Sequence, residues 1–243
     1  TEEDRKTLDR FYQDVRIRVG DIQSADGKLE IIRTLYDTFF ATAFKTTVEK
    51  LGIVFTPIEV VDFILRSADG ALRKYFGKRL SDEGVHILDP FTGTGTFIAR
   101  LLQKDLGLIR DDDLFRKYTQ ELHANEIVLL SYYIAAVNIE NVFHDRAGRK
   151  EKYSAFPGIV FGDTFRMREV KPDDLLDDEE LRPNSERILA QNNAPISVIV
   201  GNPPYSIGQK SANDNAQNEN YPWLNDRIET TYVANSEATN NKA

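Results

Sequence analysis

The stretch Val85-His86-Ile87-Leu88-Asp89-Pro90-Phe91-Thr92-Gly93-Thr94-Gly95-Thr96-Phe97 decides the fold of this chain. Its apolar first part, which ends at Asp89, predicts a buried β-strand. Gly93 and Gly95 then permit a tight turn and let the backbone come close to a ligand. The apolar residues 98–102 that follow predict a helix. A strand, a glycine-rich turn and a helix in this order are typical of nucleotide-binding open sheets, so the sequence predicts the α/β class.

The residues around this turn indicate what kind of ligand it binds. A dinucleotide-binding fingerprint would place a third glycine at position 98, which is Ile98 here. The missing glycine and the acidic Asp89 before the turn argue against a pyrophosphate. A zwitterionic amino-acid group fits better, with its ammonium group near Asp89.

A second motif, Asn202-Pro203-Pro204-Tyr205, follows the apolar residues 196–201, which predict another buried strand. The Asn202 side-chain oxygen can accept a hydrogen bond. The two prolines have no N–H and fix the backbone, so the carbonyls beside them stay unpaired. Tyr205 offers a flat face for stacking. The motif suits a planar substrate with an NH₂ group, although by itself it is also compatible with a strand that ends in a proline-containing loop.

Together the two motifs resemble motifs I and IV of the S-adenosylmethionine (SAM)-dependent amino-methyltransferases that act on adenine in DNA. A third segment, residues 52–61, looks like motif X of that family and precedes motif I, as in its γ order. Thr56 is a good helix N-cap and Pro57 a good first helical residue. The helix start could then aim its N–H groups at a carboxylate. For these two residues alone, an ordinary capped helix remains an alternative.

The resemblance implies a Rossmann-like SAM-dependent methyltransferase sheet, with SAM as cofactor and no metal. Glu126 ends a predicted second strand, where its carboxylate could bind both ribose hydroxyls, unless it is an exposed glutamate at a helix start. By resemblance, Asp163 would accept a hydrogen bond from the adenine amine of SAM, and Phe165 would cover that ring. The residues assigned to the cofactor are Phe55, Thr56, Pro57, Asp89, Thr92, Gly93, Gly95, Thr96, Phe97, Glu126, Ile127, Asp163 and Phe165, and those assigned to catalysis are Asn202, Pro203, Pro204 and Tyr205.

Finer resemblance points to the methylase region of Type I-like single-polypeptide (Type ISP) restriction–modification enzymes. The segments that carry it are residues 201–206, 208–214 and 229–232, with a similar lead-in around residues 36–52. It implies double-stranded DNA with a flipped adenine as substrate, and fused helicase, nuclease and target-recognition domains. Two alternatives remain: an RNA or protein-glutamine amino-methyltransferase, and a SAM-binding structural module without activity.

The pattern divides the chain into three parts. Residues 1–52 predict a helical lead-in, 53–205 the methyltransferase core, and 206–243 a polar loop or tail. Four strands are predicted, fewer than a complete sheet of this family has, and residues 206–243 are too few for the missing strands and their crossovers. We therefore expect a sheet truncated after the fourth strand, and a fragment that is inactive by itself.

Composition sets limits on location and partners. The chain has 243 residues, no cysteine and a formal net charge of −8. The absence of cysteine excludes disulfides and cysteine zinc sites and suits the cytoplasm, and no apolar run is long enough to predict a membrane span. The acidic balance is unusual for a DNA-binding protein, because phosphate contacts supply much of the affinity. We therefore expect the main DNA-binding surface to lie outside this chain.

Overall fold

A computed structural model of the protein describes residues 56–148, 153–167, 182–204 and 221–237. The predicted helical lead-in, residues 1–52, lies outside the described residues. So do two of the predicted site residues, Phe55 and Tyr205.

The centre of the fold is a parallel sheet of four strands. The strands are β1 (His86–Asp89), β2 (Leu122–Glu126), β3 (Ile159–Phe161) and β4 (Ile196–Ile199), in the order β3-β2-β1-β4. All three pairings are parallel. The predicted α/β class is confirmed, and each of the four predicted strands is present. The prediction that the strand before Asn202 is buried is wrong: β4 has no buried residue and Ile199 is 67% exposed, because β4 is an edge strand of the described sheet. The order reverses between β1 and β4, and in open α/β sheets ligands bind at the carboxyl ends of the strands at such a point.

The helices of the described chain are α1 (Ile58–Phe76), α2 (Thr96–Leu102), α3 (Leu114–Arg116), α4 (Leu129–Ala147), α5 (Arg182–Asn192) and α6 (Pro222–Ile228). Helices α2 and α4 pack on each other, and α1 packs on α2. The main core lies where these helices meet the sheet, and it includes Leu65, Ile87, Ile98 and Ile139.

Helix α1 differs from its prediction at both ends. The predicted cap was Thr56 with Pro57 as first helical residue, but Pro57 is itself the cap: its backbone is extended, and its carbonyl accepts the N–H groups of Val60 and Val61 at 3.0 Å. The sequence also predicts that this helix runs from Pro57 only to Arg66; that end is wrong, because the helix continues through Gly70 to Phe76. A glycine inside a helix costs only about 1 kcal/mol, and the buried face of α1 continues beyond it.

The tail also contains more structure than predicted. Residues 206–243 were predicted to be a polar loop or tail, but residues 221–237 contain α6 and a wider helical turn over Glu229–Val233. Pro222 stands in the first turn of α6, where a missing N–H costs nothing. The Tyr221 carbonyl accepts the Asn225 N–H at 2.9 Å. The polar composition hid this helix, because it has no buried face in the described chain.

Candidate active site

The ends of β1 and β4 meet at the point where the strand order reverses. The Val200 N–H donates to the Leu88 carbonyl at 3.0 Å, which continues the pairing past the end of β4. Gly201 then passes close to Asp89: a Cβ at position 201 would lie 2.8 Å from Asp89 Oδ1. The glycine is therefore needed for the close approach of the second motif to the first.

Asp89 is a fully buried carboxyl group at the end of β1. Its Oδ1 accepts the Phe91 N–H at 3.1 Å, while Oδ2 is buried and has no hydrogen-bond partner among the described residues. Burial raises the pKa of Asp89 to about 7, and the nearby Glu126 charge adds to this rise. A buried acceptor without a partner is costly, so Asp89 is suited to receive a donor from a ligand.

The two glycines of the turn have different functions in the fold. Both have left-handed backbones, with φ 56° at Gly93 and 84° at Gly95. A Cβ at Gly93 would meet no atom of the described residues within 4 Å, so among them this part of the turn borders open space. A Cβ at Gly95 would lie 3.1 Å from the Ala135 backbone on α4. Gly93 therefore leaves room for a ligand, whereas Gly95 lets α4 pack closely against the start of α2.

The other residues assigned to the turn mainly support it. The buried Thr92 hydroxyl donates to the Asp89 carbonyl at 3.0 Å. The Thr96 and Thr94 hydroxyl oxygens lie 3.2 Å apart. Phe97 is a buried member of the core. Of these four side chains, that of Thr96 is the least buried.

Glu126 ends β2 and is bonded to the glycine turn. Its Oε2 accepts the Gly93 N–H and its Oε1 the Val128 N–H, each at 2.7 Å. The residue is 8% exposed, so it is not the exposed helix-start glutamate of the alternative interpretation. Burial raises its pKa to about 7 although these N–H groups oppose the rise. Ile127, the next residue, is exposed.

The segment after β3 is joined to the other two strand ends. The Thr164 hydroxyl donates to the Pro90 carbonyl at 2.5 Å, and the Asn125 amide lies 3.2 Å from the same hydroxyl. These two contacts of Thr164 place Asp163 and Phe165 beside the glycine turn. The Phe165 ring packs on Phe91, with their centroids 5.5 Å apart.

The second motif follows β4, which pairs with β1 on the side opposite to β2. Gly201 and Asn202 are half-buried, and Pro203 and Pro204 are exposed. Asn202 also interacts with another group of the protein, so it is not without a partner. The exposed prolines leave the motif accessible to a substrate from outside.

Helix α1, which begins in the motif X segment, is joined by an ion pair to α2, the helix that follows motif I. Arg100 of α2 forms a bidentate ion pair with Asp62 of α1, with an Nε–Oδ1 distance of 2.6 Å and an Nη2–Oδ2 distance of 2.9 Å. The hydrogen bond from Arg100 lowers the pKa of Asp62. Thr56 is half-buried and Pro57 exposed at the start of α1. Sequence reasoning missed this pair, because a charged residue on each of two helices gives no signal that they meet.

Comparison with known proteins agrees with this geometry. A model of the N-6 DNA methylase family matches residues 28–239 of the chain. The chain belongs to the N-6 DNA methylase family. No curated protein matches it at a significant level.

Three solved structures of larger proteins resemble this member of the family. It is 52% identical to the ATP-dependent Type ISP restriction-modification enzyme LlaBIII bound to DNA, with a TM-score of 0.83 over 98% of this chain and 16% of that one. It is 52% identical to a nuclease-deletion mutant of the Type ISP enzyme LlaGI in complex with a DNA substrate mimic, with a TM-score of 0.81 over 96% of this chain and 18% of that one. The third, a cryoEM structure of a DrdV–DNA complex, is 38% identical, with a TM-score of 0.85 over 98% of this chain and 22% of that one.

The predicted family and the predicted resemblance to Type ISP methylase regions are thus confirmed. The chain spans 16% to 22% of the length of these solved proteins. In the described part of the chain, no helix has the length and hydropathy that a membrane crossing requires.

Two histidines on the neighbouring strands β1 and β2 form a pair. His86 and His123 stack with ring centroids 5.3 Å apart, and His86 Nδ1 lies 3.0 Å from His123 Nε2. Burial lowers the pKa of His123 to about 4. His86 begins β1, whereas His123 of β2 lies level with Leu88, one residue before Asp89. The pair includes none of the predicted site residues.

Proposed function

We propose that the natural protein containing this chain transfers the methyl group of SAM to N6 of adenine in DNA, as part of a cytoplasmic restriction–modification enzyme. The observation that carries the proposal is the junction of the two motifs. Asn202-Pro203-Pro204 leaves β4 beside Asp89 of β1, and Gly201 brings the two within contact distance. A cofactor bound at the first motif would therefore adjoin a base bound at the second.

The residues at the glycine turn fit SAM. The unpartnered Asp89 Oδ2 suits the ammonium of the methionine group, and the open space at Gly93 admits a ligand close to the backbone. The Glu126 carboxylate accepts the Gly93 and Val128 N–H groups and interacts with that of Ile127; a carboxylate has about four acceptor sites, so a ribose hydroxyl could still donate to it. By family resemblance, Asp163 would accept from the adenine amine and Phe165 would cover its ring. When bound, SAM supplies an electrophilic methyl group on a sulfonium.

The Asn202 motif would make the amine of the target adenine reactive. This amine is a poor nucleophile, because its lone pair is delocalised into the ring. Hydrogen bonds from the NH₂ group to the Asn202 side chain and the Pro203 carbonyl would favour a more tetrahedral nitrogen. No strong base is needed before transfer, since the proton can leave afterwards. Orientation and electrostatics then carry most of the rate effect.

A paired adenine must leave the duplex to reach this motif. Flipping a base out costs a few kcal/mol, and stacking on an aromatic ring returns about 1–3 kcal/mol per base. Tyr205 is the residue of the motif suited to this stacking. The DNA-binding, recognition, helicase and nuclease modules are proposed to belong to the same polypeptide, in keeping with the small share of the similar proteins that this chain spans.

Substitution of Asn202 tests this proposal. In the natural protein, Asn202→Ala should lower the rate of adenine methylation about 100-fold or more, the scale of a lost transition-state hydrogen bond. Affinity for SAM should change by less than about threefold, because Asn202 is not assigned to the cofactor. The matched control is Asn235→Ala, which truncates an exposed asparagine of the tail. Transfer of labelled methyl groups to DNA, RNA and protein would be compared, and unchanged DNA methylation in the Asn202 variant would contradict the proposal.

A further inference from the structure

Tyr221 links the tail of the chain to the candidate cofactor site. It is the first described residue after Pro204, yet it lies against the end of β3. Its hydroxyl donates to Asp163 Oδ2 at 3.0 Å, and its ring packs on Phe165 with centroids 5.3 Å apart. Since β3 and β4 lie at opposite edges of the described sheet, Tyr221 approaches the site from the side opposite Asn202.

Several contacts fix the position of this tyrosine. The Arg166 guanidinium lies 5.6 Å from the centre of its ring. Its carbonyl accepts the Asn225 N–H at the start of α6. The following Pro222 disfavours a helical backbone at Tyr221, whose φ and ψ are −113° and 78°. The hydroxyl therefore meets Asp163 from a tyrosine that is held by its ring and by its backbone.

The bond from Tyr221 completes the support of the Asp163 carboxylate. Oδ1 accepts the Phe165 N–H at 3.0 Å, and Oδ2 accepts the Tyr221 hydroxyl. With one donor on each oxygen, the plane of the carboxylate is fixed. The Arg166 Nε lies 3.8 Å from Oδ2, which is too far for a hydrogen bond. Each oxygen therefore still has a second lone pair for another donor, and the two hydrogen bonds orient the carboxylate without occupying it.

We propose that Tyr221 is a positioning residue for the cofactor: it holds the Asp163 carboxylate in the orientation that accepts the adenine amine of SAM. This inference rests on the proposed function, in which Asp163 binds that amine. The Tyr221 ring also extends the row of Phe91 and Phe165, whose centroids lie 5.5 Å apart. The tail after the second motif thus contributes to cofactor binding together with the carboxyl ends of β1, β2 and β3.

The test uses Tyr221→Phe in the natural protein, which removes the hydroxyl and keeps the ring. Binding of SAM and of S-adenosylhomocysteine would be measured by calorimetry, and kcat and KM by methyl transfer to unmethylated DNA. We expect affinity for both ligands to fall about 2- to 12-fold, the range of one net hydrogen bond. The kcat at saturating SAM should stay within about twofold. Tyr232→Phe, the same change at an exposed tyrosine of the tail, should alter neither quantity.

A second background separates this inference from the proposed function. If Tyr221 acts through Asp163, Tyr221→Phe should have no further effect on SAM affinity in an Asp163→Ala protein. If Asp163→Ala leaves SAM affinity unchanged, the assignment of Asp163 in the proposed function is wrong. If Asp163→Ala weakens SAM binding but Tyr221→Phe does not, only the inference about Tyr221 is overturned. The same holds if Tyr221→Phe weakens SAM binding equally in the unsubstituted and the Asp163→Ala proteins. Tighter SAM binding by Tyr221→Phe would also overturn it, because it would mean that the hydroxyl competes with the cofactor.

Discussion

Replacing Gly201 with alanine tests whether the contact between β4 and Asp89 is needed for cofactor binding. The new Cβ would lie 2.8 Å from Asp89 Oδ1 and 3.4 Å from Pro90 Cδ, and Cβ atoms essentially never approach another heavy atom within 3.0 Å. Asp89 is fully buried and cannot swing into solvent. Either its carboxylate or the end of β4 must therefore move.

The expected size of the effect follows from overpacking. Forcing extra atoms into a packed site typically costs about 1–3 kcal/mol, which corresponds to a change of about 5- to 150-fold in an equilibrium constant. Since Asp89 is the residue displaced, we expect this cost in the affinity of the natural protein for SAM. Calorimetric titration with SAM measures it directly.

Gly70→Ala is the matched control for this experiment. Gly70 lies inside α1, and a Cβ there would meet no atom within 4 Å. Alanine is favoured over glycine in a helix by about 1 kcal/mol, so SAM affinity should not change and the fold should be slightly stabilised. If a folded Gly201→Ala protein bound SAM within about twofold of the unsubstituted protein, the reasoning about Asp89 would be refuted.

Two further predictions concern buried charges. Affinity for SAM should rise about fivefold between pH 6 and pH 7.5, because an ammonium partner requires ionised Asp89, burial raises the pKa of this carboxyl to about 7, and the α-amino group of SAM loses its own proton only near pH 8; a pH titration of binding that is flat, or that persists in Asp89→Asn, would contradict this. Lys117→Met should destabilise the fold by about 1–3 kcal/mol, because the buried ammonium donates to the Asp82 and Val85 carbonyls at 2.8 Å, while its partner Glu121 keeps an ion pair with Arg116; faster hydrogen exchange of the β1 amides measures the loss, and Lys104→Met, at an exposed lysine, is the control.

The strands and the turn of motif I were predictable because their signals are local. Short apolar runs that end in Asp89 or Asn202 need no knowledge of the rest of the fold, and glycines at 93 and 95 indicate a turn by their own conformational freedom. The burial of Glu126 could be inferred only through the family, since a strand end and an exposed helix start read alike in sequence.

The contacts that join these elements could not be read from the sequence. The bond between Thr164 and Pro90, the pair of Arg100 with Asp62, and the approach of Gly201 to Asp89 each unite residues far apart in the chain. Their residue types are common at exposed positions as well. The same holds for Tyr221, whose polar surroundings predicted a loop, while its function depends on Asp163 at the end of another strand.

Gly201 and Asn202 are neighbours in the chain, yet the proposed function assigns them to different steps. Gly201 faces Asp89, so its substitution should act on SAM affinity and leave the rate at saturating SAM less affected. Asn202 begins the accessible part of the motif, so its substitution should act on the rate of transfer. One backbone step thus separates cofactor binding from base activation, and a disturbance at either residue can pass to the other through the end of β4. For this reason the two substitutions are expected to be non-additive when combined, as residues in contact generally are.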